Sequence, residues 1–281
     1  MAACGEDDGS TDASTKSSDP TTTYDLIATF PRGEPYIAAG PPQRLPFLLA
    51  ESGDAPLDEI PGPVEFRLLD QAGMQVVEPS QVEPMGAGLP RTYLAYVTEI
   101  PEPGIYTVEA RFEGQTLTSA VQAWTLDEVG VPQIGDMLPA VTTPTLTDSH
   151  GVDPICTRDP ICPYHQQTTA DALGSGLPVV LQVSTPQFCQ TNVCGPVLDN
   201  LIGLLDARDD ATAVHVEVYS DPLAVDTIAE ATAAPAVVEL ALPLEPVTFV
   251  TDASGVIVSR LDSIWDDLEL SDAINEANAS A

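Results

Sequence analysis

The sequence predicts an α+β protein of two domains, an N-terminal β-sandwich followed by an α/β domain. Residues 24–126 contain short, alternating apolar runs separated by Pro and Gly, whereas near-continuous apolar runs and helical stripes alternate after residue 133. A polar connector that ends at Pro132 separates the two patterns. A chain of 281 residues is long enough for two domains of ordinary size. We therefore predict domains at 24–126 and 133–281, after an N-terminal segment of residues 1–23.

The N-terminal segment is a predicted disordered tether. Residues 5–23 are almost all Gly, Ser, Thr, Asp and Glu, so they have little to bury. Met1-Ala-Ala-Cys4-Gly5 resembles the end of a bacterial lipoprotein signal, in which small residues precede a lipidated cysteine. This resemblance implies a lipid anchor on Cys4, attachment to the cell membrane and an extracytoplasmic location. The alternative is that Cys4 is an incidental thiol.

The charge of the chain excludes several kinds of partner. It carries 43 acidic and 9 basic residues, which gives a net charge of −34. Such a surface repels nucleic acid and anionic membrane surfaces, so we expect no nucleic-acid partner. No apolar run approaches the roughly 20 residues that a membrane-spanning helix needs.

The first domain is predicted to be built from strands with one buried face. Apolar and polar residues alternate from Val64 to Leu68 and from Tyr106 to Ala110, and turn residues recur about every ten positions. Further strands are predicted at 24–30, 45–49 and 91–97. The aromatic residues of this half are predicted to form its core: Phe47, Phe66, Tyr93, Tyr96, Tyr106 and Phe112. The segment 101–110 resembles a late strand of an immunoglobulin-like domain, which implies that fold for this half.

The second domain is predicted to follow the order βαβαββα. Its helices are expected at 168–173, along the apolar stripe from Val197 to Leu205, and at 268–277. Its strands are expected at 178–183, 213–219, 247–250 and 256–261, and the last two flank a hairpin turn at 252–255.

Two close cysteine pairs carry the chemistry of this domain. Cys189 and Cys194 follow the buried strand at 178–183 and precede a helix. A thiol at that position meets the positive end of the helix dipole, which lowers its pKa and makes it reactive. An even set of four cysteines beyond Cys4 also fits an oxidising compartment.

Residues 133–281 resemble the thioredoxin-like superfamily, in its extracytoplasmic redoxin branch. Residues 135–146 are similar to the opening of such domains, Phe188-Cys189 takes the place of the Trp-Cys step, and Glu245-Pro246 is similar to the stretch that contains a cis-proline. The resemblance implies thiol–disulfide exchange with protein thiols or disulfides as partners, without a cofactor or a metal. Cys189 would be the nucleophile, Cys194 the resolving cysteine, and Pro246 the residue that shapes the substrate groove.

The spacing of this pair departs from the usual motif of the superfamily. Four residues separate Cys189 from Cys194 instead of two, and Asn192 takes the position of the usual second cysteine. Positions i and i+5 on an intact helix point about 140° apart, so a disulfide here requires an irregular first turn. Pro196 is compatible with such a turn. A competing alignment makes Cys194 the first cysteine, with Val197 replacing the second.

Three alternative functions stay open at this point. The spacing also resembles one-chain peroxiredoxins, although Pro186 stands where those enzymes carry Thr or Ser and Arg260 lies beyond the hairpin turn. Copper chaperones bind their metal through two close cysteines and a distant histidine, and soft thiolates favour Cu(I). The third alternative is a redox-silent module whose disulfides are only structural.

The second pair, Cys156 and Cys162, is predicted to be a structural disulfide in a Pro-rich loop. Such a bond would contribute about 2–3 kcal/mol to stability. Cys156, Cys162 and His165 could instead form a metal corner. His215, within a predicted strand, is expected to be a hydrogen-bonded core residue.

Overall fold

The computed structural model describes residues 22–189 and 192–280. The chain is a mixed α and β protein in which strands predominate, and no helix of the described residues is long and apolar enough to cross a membrane. The strands are β1 (Tyr24–Ala28), β2 (Pro42–Glu51), β3 (Val64–Leu69), β4 (Ser80–Val82), β5 (Pro84–Met85), β6 (Tyr93–Glu99), β7 (Gly104–Phe112), β8 (Gln115–Ala123), β9 (Val179–Val183), β10 (Thr212–Val216), β11 (Val247–Thr251) and β12 (Ile257–Asp262). The α-helices are α1 (Thr169–Leu173), α2 (Cys194–Leu205), α3 (Pro235–Glu239) and α4 (Asp267–Ala279).

The first eight strands form two antiparallel sheets that pack face to face. Their strand orders are β1-β2-β6-β5 and β4-β3-β7-β8. Phe66 of the second sheet lies between Phe47 and Tyr96 of the first, with ring centroids 5.6 Å and 5.0 Å away. These interlocked rings are buried, as are Tyr93, Tyr106 and Phe112, so the predicted aromatic core is confirmed.

The last four strands form a third sheet in the order β10-β9-β11-β12. The β9–β10 pair is parallel, whereas β11 pairs antiparallel with both β9 and β12. Every residue of β9 is buried, as expected for a strand covered on both faces. Val180 packs in a cluster with residues of α2 and α4, whereas Val179 and Leu181 pack in another with residues of α1 and α3. The sheet therefore lies between two helical layers.

The structure departs from the predicted order at its beginning. Residues 129–168, all of which the structure describes, contain no helix or strand apart from an isolated bridge between Met137 and Val256. The predicted order begins with a strand, whereas Pro139 and Pro144 lack the amide that a ladder needs, which accounts for the absence of a strand before α1. β4, β5, β8 and α3 are additions to the predicted elements.

A buried ion pair joins the sandwich to the third sheet and its last helix. Arg44 of β2 pairs with Glu269 of α4 at 2.7 Å, and it donates to the Asp262 carbonyl at 2.8 Å. Tyr93 of β6 donates to Glu269 at 2.7 Å and accepts from the Asp266 amide at 3.0 Å. The side chains of Arg44 and Glu269 are 6% and 14% exposed. Neither charge can therefore be solvated unless the sandwich and α4 move apart.

Candidate functional site

Cys189 and Cys194 are joined in a disulfide, as predicted, with Cα atoms 5.9 Å apart. The disulfide was expected to need an unwound or irregular first helical turn, and the residues that would form that turn are not helical, because α2 begins only at Cys194 and Cys189 lies in the preceding turn. Asn192 in that turn has a φ of 59°, a left-handed conformation that asparagine tolerates better than most residues. Pro196 lies in the first turn of α2, where its missing amide breaks no helical hydrogen bond.

The two cysteines differ in exposure and in electrostatic surroundings. Cys194 is fully buried, whereas Cys189 keeps part of its surface exposed. The Cys194 amide, at the N-terminus of the helix, donates to Cys189 Sγ at 3.3 Å. Such a donor and the positive helix end both favour a thiolate at Cys189.

Pro246 adjoins this pair, and its peptide bond with Glu245 is cis. The step leads directly into β11, whose first residue, Val247, pairs with Val183 at the end of β9. The turn that carries Cys189 starts after the same end of β9. The sheet register therefore brings the disulfide and the cis-proline step to one edge.

The Glu245 carboxyl group completes the site, and sequence reasoning gave it no role. Its Oε2 lies 3.5 Å from Cys194 Sγ and accepts from the Thr185 amide at 2.8 Å. Its Oε1 is buried and has no hydrogen-bond partner in the described structure. Burial raises the pKa of Glu245 to about 7, against the opposing effect of the Thr185 amide. A carboxyl group that titrates near neutrality beside a buried sulfur can accept or return a proton there.

Cys156 and Cys162 depart from the predicted disulfide, because the structure has both as free, buried thiols. Each sulfur faces a histidine nitrogen. Cys162 Sγ lies 3.3 Å from His165 Nε2 and 3.5 Å from His215 Nδ1, and Cys156 Sγ lies 3.8 Å from His215 Nδ1. The predicted corner of Cys156, Cys162 and His165 thus gains a fourth member, which we call the Cys2His2 cluster.

The Cys2His2 cluster is sealed within the protein. Both histidines are fully buried, and Cys156 and Cys162 are 8% and 3% exposed. Burial lowers the pKa of His215, which favours its neutral form. The contact between the thiols lowers the pKa of Cys156 and raises that of Cys162, so one thiolate and one thiol are the favoured pair. As predicted, His215 is hydrogen-bonded in the core, through the Ser184 carbonyl at 3.0 Å.

The disulfide site and the Cys2His2 cluster are linked through neighbouring residues. Ser184 contacts His215, and the next residue, Thr185, donates to Glu245. The hydroxyl of Thr157, next to Cys156, accepts from the Gln187 amide at 3.1 Å, two residues before Cys189. The loop that carries Cys156 therefore supports the turn that carries Cys189.

Other sequence-predicted candidates lie apart from these sites. Cys4 is outside the described residues. Arg260, considered for a peroxidase, pairs with Asp262 at 3.2 Å, and its guanidinium lies 4.6 Å from the centre of the Tyr36 ring. His150 pairs loosely with Asp148 at 3.7 Å on a partly exposed loop. Arg260, the arginine considered for a peroxidase, therefore interacts with Asp262 and Tyr36 instead of with the cysteine pair.

Comparisons with known proteins give only weak likenesses. The chain matches no protein-family model and no curated protein. One similar solved structure is the complex of titin M10 with an obscurin-like 1 Ig domain, at 17% identity and a TM-score of 0.21, covering 37% of this chain and 96% of that one. Another is Dpr1 IG1 bound to DIP-eta IG1, at 11% identity and a TM-score of 0.20, covering 36% and 96%.

Proposed function

We propose that this chain is an extracytoplasmic thiol–disulfide oxidoreductase that acts on protein thiols or disulfides. One observation carries the proposal: a disulfide between a buried and a partly exposed cysteine lies at a helix N-terminus, beside a buried carboxyl group. A structural disulfide needs neither the helix N-terminus nor the carboxyl group. The lipid anchor on Cys4 belongs to the same proposal and rests on the sequence resemblance alone.

A thioredoxin-like fold for residues 133–281 is also part of the proposal. Its support is the sheet order β10-β9-β11-β12, with one parallel pair, helices on both faces, and the cysteine pair after β9. Two antiparallel sheets joined by aromatic rings support an immunoglobulin-like sandwich for residues 24–126.

The reaction begins when the reduced Cys189 thiolate attacks one sulfur of a substrate disulfide. A bond forms between Cys189 Sγ and that sulfur, and the other substrate sulfur leaves as a thiolate that takes a proton from water. The helix N-terminus and the Cys194 amide stabilise the attacking thiolate. Cys189 is the nucleophile because it is the more exposed of the two cysteines.

Resolution of the mixed disulfide uses Cys194 and Glu245. The Cys194 thiol gives its proton to the Glu245 carboxylate, and the new thiolate attacks Cys189 Sγ. The Cys189–Cys194 disulfide forms as the mixed disulfide breaks. The second substrate sulfur leaves as a thiolate and takes up a proton from water. The substrate is reduced by two electrons and the cysteine pair is oxidised by two. The same steps in reverse oxidise a dithiol substrate.

An apolar groove beside Glu245 offers a place for the substrate chain. It has a volume of about 380 Å³ and is lined by Val218, Val237, Leu242, Pro243 and Leu244 as well as Glu245. An extended segment with apolar side chains would fit its lining, and its cysteine would then lie near the disulfide.

The pH profile of the two steps tests the proposal. Reduced protein with Cys4→Ser is mixed with dipyridyl disulfide, which is neutral and so is not repelled by the acidic chain, and the two thione releases are followed spectroscopically. The first release should titrate below the ordinary thiol pKa of about 8.5, because Cys189 is stabilised as a thiolate. The second should rise with pH through about 7, because Glu245 accepts a proton only when it is ionised.

Glu245→Gln provides the matched comparison for the second step. We expect the inflection near pH 7 to disappear and the second release to slow about a hundredfold at pH 8, since a general base is removed. Glu239→Gln changes an exposed carboxylate that accepts from the Thr142 amide, and it should leave both profiles unchanged. A first release that titrates at or above 8.5 would refute the activated thiolate. An unaltered second step in Glu245→Gln would refute the role of the carboxyl group.

A further inference from the structure

We propose that Cys156, Cys162, His165 and His215 bind one tetrahedral Zn²⁺ ion that holds the loop of residues 129–168 to the third sheet. This metal site lies apart from the disulfide, goes beyond the oxidoreductase proposal, and revises the metal-free expectation from the sequence. The four side chains offer two sulfur and two imidazole ligands, which is a donor set of structural zinc sites.

The separations between the ligand atoms match those that a tetrahedral zinc ion imposes. Bonds of about 2.3 Å to sulfur and about 2.05 Å to nitrogen set separations of about 3.3 Å between nitrogens and about 3.6 Å between sulfur and nitrogen. His165 Nε2 and His215 Nδ1 are 3.3 Å apart. Three of the four sulfur–nitrogen separations are 3.3, 3.5 and 3.8 Å. All four ligand atoms lie within 4.8 Å of one another.

The tautomer of His215 is the one that a metal ligand needs. Its Nε2 lies 3.0 Å from the Ser184 carbonyl oxygen, which can only accept a hydrogen bond, and 3.1 Å from the Ser184 hydroxyl, which can accept one as well. Nε2 therefore carries the ring proton, and Nδ1 turns a lone pair toward the two sulfurs and His165. Carbonyl groups commonly orient zinc-bound histidines in this way.

The surroundings indicate a structural ion rather than a catalytic one. The four residues are buried, so they enclose the ion and leave it no open position for a substrate. Residues 129–168 lack regular helix and strand, and such a long irregular segment in a compact domain needs an additional tie. Three of the ligands come from this segment, and His215 comes from β10. An ion at the cluster would supply the tie.

The choice of zinc over Cu(I) follows from the donor set. Cu(I) is selected by soft sulfur ligands, whereas two imidazoles and two thiolates at four tetrahedral corners suit zinc. A copper site in this cluster is therefore an outcome that the experiment must separate from zinc.

Metal analysis of the full chain tests the site. The protein is purified without chelator, dialysed, and analysed for zinc and copper by mass spectrometry. We expect about one zinc per chain, and about none in Cys162→Ser or His165→Ala. His150→Ala, which changes a histidine outside the cluster, and Cys189→Ser, which opens the disulfide, should both keep the zinc.

Cobalt substitution guards against variants that fail to fold. Wild-type protein stripped by a chelator and loaded with Co²⁺ should show intense tetrahedral d–d bands and thiolate charge-transfer bands, and stripping should lower its Tm. Copper in place of zinc, retention of zinc by both cluster variants, or a Cys156–Cys162 disulfide in the purified protein would each overturn the proposal. A wild-type protein that takes up neither zinc nor cobalt after reduction would also overturn it.

Discussion

In protein that carries Cys4→Ser, the further change Cys189→Ser is expected to lower the rate of disulfide exchange at least a hundredfold, to about the background of a protein without a reactive thiol. The hydroxyl of serine stays protonated at neutral pH, so the stabilisation from the helix N-terminus and the Cys194 amide has no thiolate to act on. Dipyridyl disulfide exchange at pH 7 measures the loss.

Cys194→Ser should behave differently, because attack can proceed without resolution. The first thione is released at nearly the wild-type rate, the second is not, and an adduct on Cys189 accumulates that intact-mass analysis detects. Cys4→Ser alone is the reference, because both variants are made in that background. Equal residual activity in Cys189→Ser and Cys194→Ser would contradict the assigned roles.

Arg44→Ala is expected to lower the free energy of unfolding by about 3–5 kcal/mol. The side chain pairs with Glu269 and donates to the Asp262 carbonyl, all within a buried junction. Its removal leaves the Glu269 carboxylate with Tyr93 but without its cation. A buried charge that loses its partner keeps its desolvation cost, which is why the loss is large.

Urea unfolding of matched variants measures this effect. Arg111→Ala removes an exposed pair with Glu65 and should cost less than about 1 kcal/mol. Adding Glu269→Gln to Arg44→Ala should recover part of the loss, because the unpaired charge is gone. If Arg44→Ala destabilises the protein no more than Arg111→Ala does, the junction does not depend on this ion pair.

Local patterns predicted the parts of the fold that depend on neighbouring residues. The apolar run at 178–183 corresponds to β9, the alternation from Val64 to Leu68 lies within β3, and the last helix forms close to its predicted range. The disulfide was also predicted, from the short spacing of its cysteines, and the cis form of Pro246 was implied by the resemblance of Glu245-Pro246 to the cis-proline stretch of the superfamily. In each case the determining residues are adjacent in the sequence.

Long-range geometry limited the prediction of the sites. His215 stands 53 residues after Cys162, and its strand position alone favoured a core role, although the sheet brings Nδ1 within 3.5 Å of Cys162 Sγ. The pairing of Cys156 with Cys162 was inferred from their short spacing in the sequence. That spacing carries no information about the two histidines that the fold brings next to the sulfurs. Glu245 was visible as a neighbour of Pro246. Its contact with Cys194 depends on the pairing of β11 with β9.

Redox titration of the Cys189–Cys194 pair against glutathione tests the central proposal most directly. The protein is equilibrated over a range of reduced and oxidised glutathione, quenched with acid, and the pair is scored by thiol labelling. An exchange site should pass from oxidised to reduced within the range that glutathione covers, as thiol–disulfide oxidoreductases do. A bond that stays oxidised throughout, with a potential below about −300 mV, would be a structural disulfide and would contradict the proposed function.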